Sequence, residues 1–194
     1  AEVWTYNAIT MPEEKKPVER LAVNFGAPGD RQDEHGSLWL DYPNRGGSSP
    51  DVGLTIEGDQ LQYFHQHSAL VEAGSMDWVA ASGVTGVSRI TIAVNNPEPR
   101  DYRLKLVFSE PDGEIGETDR VFRVDVQGET LVADLDVAGQ LDDRNQGLIR
   151  EVTDVTAAGE LVIELVAAQG EPVLCGFELV AVPEADAEAD GEDE

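Results

Sequence analysis

Cysteine occurs once, so no disulfide can close within the chain. Cys175 alternates with Val173, Phe177 and Leu179, which points to a buried small hydrophobe rather than a reactive thiol. Bases are scarce too: 13 stand against 39 acids, and the formal net charge is −26. Repulsion of that size makes nucleic acid and anionic membrane surfaces poor partners. Solubility, or a salty medium that screens the self-repulsion, accounts for the acids, and calcium loading is the sharper alternative. No apolar run approaches the roughly 18 residues of a membrane helix, so no membrane insertion is expected. Nor does the chain open on a basic and apolar leader, and a first residue of Ala suggests a processed or excised chain.

Signatures of bond-making are missing as well. There is no G-x-S-x-G elbow, and Ser82-Gly83 lacks the leading glycine. Neither a P-loop nor a dinucleotide fingerprint occurs, and no His-Glu pair sits at helical spacing. Two carboxylates could hydrolyse a glycoside, but among 39 acids no pair stands out. The expectation is therefore a protein that is not an enzyme, with a glycoside-active enzyme as the remote alternative.

What the chain does contain is alternation. Arg120, Phe122, Val124 and Val126 fall on one side of an extended chain, and Val121, Arg123 and Asp125 on the other. That period of two predicts a half-buried strand. Gln127-Gly128-Glu129 predicts a tight turn in which glycine takes positive φ, and Leu131, Ala133 and Leu135 predict a returning strand. A lone hairpin is marginal in water, so its apolar face needs cover. Tyr102, Leu104, Leu106 and Phe108 offer it, as do Leu161 to Val166 and the run from Val173 to Val182. Five or six such strands in about eighty residues predict an all-β fold, an antiparallel β-sandwich.

With 194 residues, one domain with a proper core fits and two would be cramped. Upstream, Leu21 to Phe25 predicts a short strand, Met76 to Gly83 another that bears Trp78, and Arg89 to Val94 a third. Asn95 to Arg100 reads as a connecting turn, and Glu110 to Asp119 and Gly139 to Gly147 as polar loops at a rim. Residues 1–20, with Trp4, Tyr6 and two prolines, read as an arm or linker to other domains of a parent protein. The domain itself is expected over 21–182. Residues 183–194 hold seven acids and no base, which predicts a disordered tail.

The succession YRLKLVFSE, RVFRVDVQGETLVADLD, GELVIEL and EPVLCGFELV resembles the malectin-type domain. That family's pattern runs through a strand ending in F-A-E, a V-F-D-V-x-x-x-G hairpin, a D-x-D strand end and a closing P-x-L-x-G-hydrophobic strand. LAVNFGAPGD and GSLWLDYP resemble its opening strand and its W-x-x-D turn, so the likeness extends over Leu21 to Val182. The resemblance implies a jelly-roll, galactose-binding-like sandwich acting as a carbohydrate-binding module of a larger exported protein, extracellular or periplasmic. It also implies a sugar stacked on aromatics in the loop after the F-A-E strand. Here that loop is Pro111-Asp112-Gly113, without an aromatic, and Gly170-Glu171 stands where the family's acidic residue precedes the last strand. Sugar contacts in this chain must therefore come from other residues.

Several residues have the chemistry for that. Trp39, Asp41, Tyr42 and Arg45 lie where a strand end opens into a glycine and serine loop; rings can stack on a pyranose while the charged groups bond its hydroxyls. Equally, Trp39 can be core and Tyr42 can pack on the rim. Tyr63, His65 and His67 share one side of an extended chain, open to ligand contact, to a shared metal, or to ordinary structure. Trp78 is a further ring. Asp30, Asp33 and Glu34 are dense enough in oxygens for a structural calcium, although their spacing is not that of a known calcium loop, and a solvated turn is the competing reading. No other cofactor is expected. The function expected is non-catalytic binding of an oligo- or polysaccharide; the alternative is a structural or protein-interaction domain docking on its parent through the N-terminal arm.

Overall fold

The computed structural model describes residues 16–44, 53–67, 76–141 and 146–183. Trp4, Tyr6, Arg45 and the acidic tail beyond Pro183 lie outside the described residues. The hairpin that dominates the sequence forms as its alternation requires. Strand β9 (Val121–Val126) buries Phe122, Val124 and Val126, and β10 (Glu129–Asp136) returns beside it. Gln127 and Gly128 make the turn with φ of 52° and 81°, the geometry of a two-residue turn that matches the twist of the strands. The return is less regular than expected. Two register shifts interrupt β10, and they leave Ala133 exposed while Leu135 is buried.

Two sheets enclose the core. One has the order β11 (Leu148–Ala157), β8 (Arg100–Phe108), β14 (Gly176–Ala181), β1 (Arg20–Phe25), β3 (Leu38–Tyr42) and β2 (Arg31–Gln32). The other runs β10, β9, β12 (Glu160–Gln169), β7 (Arg89–Ala93) and β4 (Leu54–Glu57). Val23, Phe25, Leu104, Leu106, Phe177 and Leu179 from the first meet Ile90, Ile92, Phe122, Val124, Leu161 and Ile163 from the second. The phenyl rings of Phe108 and Phe122 span the gap at 6.0 Å between centroids. Each such side chain contributes roughly 1.5–3 kcal/mol over its exposed state. The molecule is thus an all-β sandwich. Among the described residues pairing is antiparallel with one exception: β3 runs parallel to β1, because β2 intervenes as a short return.

A third, small sheet of β13 (Val173–Leu174), β6 (Ser82–Thr85) and β5 (Gln62–His65) closes one end. The chain between β5 and β6 corrects the expectation of a strand over 76–83. Asp77–Ala80 is one helical turn, α1, and the strand starts only at Ser82. Ala80-Ala81 favours a helix, and the Ala81 N–H closes the turn on the Asp77 carbonyl at 3.0 Å. This turn lies on the outer face of the first sheet, where Val79, Ala80, Trp39, Val107 and Cys175 form a second buried cluster. The first sheet is therefore covered on both faces there, which is why β14 and β1 read as nearly continuous hydrophobic runs.

Candidate functional site

The loop between β1 and β3 shapes the site, and its geometry begins at Gly26. Its φ is 69°, and a Cβ there would lie 2.5 Å from the Phe64 carbonyl oxygen and 2.9 Å from that of Gly83. Only glycine lets the chain leave β1 across the third sheet. Asp33 then organises the turn: Oδ1 accepts the N–H groups of His35 (2.9 Å) and Ser37 (2.8 Å), and Oδ2 accepts the Trp39 indole N–H (3.3 Å). Burial alone would raise the Asp33 carboxyl, but the Ser37 N–H, the Trp39 indole and the His35 N–H outweigh it and hold the group below its ordinary value. Asp30 Oδ1 accepts the Asp41 N–H at 2.9 Å, which ties the loop back to β3.

Between this loop, the end of β5 and α1 lies a cleft of about 440 Å³, with Asp30, Arg31, His65, His67 and Trp78 on its walls. Trp78 is half-buried. Trp39 meets it edge to face at 5.5 Å and 83°, and the Arg31 guanidinium lies 4.7 Å from its ring centroid. Asn24, buried behind the cleft, accepts the Ser82 hydroxyl at 2.9 Å and donates to the Trp78 carbonyl at 3.5 Å, so it fixes α1 to β1 and β6. Gln66 reaches from the cleft to the Pro111 carbonyl at 3.2 Å, which brings the loop after β8 alongside. That loop is anchored by a buried ion pair: Arg120 Nε donates to Glu110 Oε2 at 2.8 Å, and the same guanidinium bonds the Glu171 carbonyl.

The residues singled out in the sequence divide accordingly. Trp78, His65, His67 and Asp30 meet in the cleft. Trp39 is 1% exposed, so it supports Trp78 from below and presents no open face; the expectation of a ligand-facing ring at 39 is corrected. Asp41 is buried behind the loop. Tyr42 packs edge-on against Phe25 at 5.8 Å, and Tyr63 leans on the same core. Burial first, and Tyr42 second, hold the Tyr63 hydroxyl above its ordinary value. Arg45 lies outside the described residues. Glu34 is exposed and faces His35 at 3.7 Å. Among the described residues, no three His, Cys, Asp or Glu side chains gather where they could hold a metal ion. Arg31 was missed. Its signal was faint: a single base in the acidic run DRQDEH.

A larger cleft of about 550 Å³ opens beside β7 and β12. Its walls carry Glu57, Asp59, Glu164 and Glu171 but no aromatic ring, and Arg89 there is paired with Glu164 at 3.1 Å. It offers neither a stacking surface nor a free cation, and the Trp78 cleft is the better candidate.

The fold is a β-sandwich with a cleft beside α1, and known structures share the sandwich. A β-glucuronidase from Bacteroides uniformis superposes with a TM-score of 0.65 at 12% identity, over 84% of this chain and 18% of the enzyme. The plant receptor-like kinase FER gives 0.62 at 13%, over 88% of this chain and 44% of that one. The ANX1 ectodomain from Arabidopsis thaliana gives 0.63 at 14%, over 86% and 42%. The chain thus spans less than half of each, and the likeness is one of fold alone. No protein-family model and no curated protein sequence matches it. Among the described residues, no helix is long and apolar enough to cross a membrane.

Proposed function

We propose that this domain is a non-catalytic carbohydrate-binding module of a larger exported protein, of malectin-like type, with its sugar site in the Trp78 cleft. The observation that carries the reading is a half-open indole set among imidazole, carboxylate and guanidinium groups in a cleft sized for a sugar ring. Apolar C–H faces of a pyranose stack on such a ring while its hydroxyls exchange hydrogen bonds with the polar walls. The presence of similar domains inside receptor ectodomains supports both the modular role and the exported location. The site has been rebuilt relative to the malectin pattern: the loop after β8 lies beside the cleft without contributing a ring, and α1 contributes Trp78 in its place. One stacked ring contributes on the order of 1 kcal/mol, so the affinity is modest and gains from several modules acting together.

A glycan array followed by fluorescence titration, with and without calcium, tests the proposal. Response to a glycan that is lost in Trp78→Ala is the expected result; no response to any glycan defeats it. A protein-interaction domain is the second reading. It draws on Leu38, 49% exposed on β3 beside the short edge strand β2. Removal of residues 1–15, which stops short of the Val18 N–H bond to the Val94 carbonyl and of β1, separates the two, because a docking arm matters for association with the parent protein and not for sugar.

A further inference from the structure

The arginines of this chain are distributed unevenly between partners. Arg20, Arg89, Arg100, Arg120 and Arg123 each meet a carboxylate. Among the described residues Arg31, Arg103 and Arg150 meet none, and of these three Arg31 is the one that lies over an aromatic ring in a cleft. The nearby acids are turned elsewhere: Asp30 onto the Asp41 N–H, Asp33 onto two backbone N–H groups and an indole, and Glu34 toward His35. The guanidinium carbon lies instead 4.7 Å from the centroid of the Trp78 ring, on the wall of the cleft. His65 stands exposed on the same wall.

We propose that the cleft selects a pyranose bearing a carboxylate, a hexuronic acid residue, with Arg31 as the bidentate partner of that group; this rests on the carbohydrate reading above. A planar guanidinium matches a carboxylate with two parallel hydrogen bonds. The net charge of −26 repels long polyanions, so a single acidic residue in an otherwise neutral glycan is the fitting ligand.

Nuclear magnetic resonance titrations with glucuronic acid, galacturonic acid, glucose and galactose test this, with acetate as the bare anion. The acids shift the Trp78 indole and His65 signals with affinity at least ~10-fold above the neutral sugars, and Arg31→Gln removes that preference. Arg31→Lys, which keeps the charge and loses the fork, retains part of the preference and guards against a folding artefact. Equal affinity for acid and neutral sugars, a preference that survives Arg31→Gln, or an equal response to acetate overturns the proposal and leaves the carbohydrate reading standing. If none of the four sugars moves either signal, both fall.

Discussion

Trp39 and Trp78 touch each other, yet truncation separates their roles. Trp39 is fully buried, so Trp39→Ala should destabilise the domain by about 3–5 kcal/mol and show as a fall in melting temperature. Trp78→Ala, at a half-buried ring, should cost less stability than Trp39→Ala and weaken sugar binding by roughly tenfold in a titration. Asp33 adds a dependence on pH. Its folded carboxyl is held below the ordinary value, so its contribution to stability is present above the unfolded value and is lost as pH falls through the folded one. Asp33→Asn, whose amide cannot accept from the indole on one side and keep both N–H bonds on the other, should therefore be less stable than wild type at neutral pH by about 1–2 kcal/mol. That difference should shrink as the pH falls below the ordinary aspartate value, in paired thermal melts. Cys175 is pushed up to about 12 by burial, against weaker opposition from the Ser109 hydroxyl 3.1 Å away, so a thiol reagent at mildly alkaline pH should react only after unfolding. The burial of Cys175 was legible because its neighbours alternate with it. Arg31 was not, because nothing in a run of charges tells which one the fold will leave without a counter-ion.

Among the elements, the loop from β8 to β9 depends on one buried ion pair. Arg120→Met would strand the Glu110 carboxylate, 1% exposed, and should cost about 3–5 kcal/mol, whereas the double change with Glu110→Gln should cost less than the sum of the two single changes. Chemical denaturation of the four proteins measures the coupling. Strands with an alternating pattern, β7, β8 and β9, could be read from the sequence, since one buried face imposes the period, and β14 could be read as an apolar run covered on both sides. β11 could not: it is an edge strand with a register break between Val152 and Val155, and Asp154 there has φ of 63°. α1 was misread as a strand because one helical turn is too short to show a period. The site inherits that difficulty, since its ring comes from α1 and its cation from the two-residue β2. Tyr42 and Tyr63 looked like platform residues in sequence but turn toward the core, a choice set by β-pairing partners that lie far apart in the chain.

At the scale of the whole molecule, charge and sheet topology act together. A net charge of −26 pushes the folded state apart, and added salt screens that repulsion. Melting temperature should accordingly rise by about 5 °C or more between ~0.05 M and ~1 M sodium chloride, and a flat or falling curve would contradict this. The all-β architecture was readable because several alternating runs can bury their faces only against one another; the parallel β1–β3 pairing was not, since a short return strand leaves no periodic trace. The borders of the two large sheets carry a further consequence. β2 has two residues and β4 four, while β10 and β11 are broken by irregularities. A foreign extended segment arriving at any of these margins finds too little straight, open backbone to zip against. Crowded copies are thereby kept from templating one another, a safeguard that comes from interrupted geometry and would persist in brine strong enough to erase every surface charge.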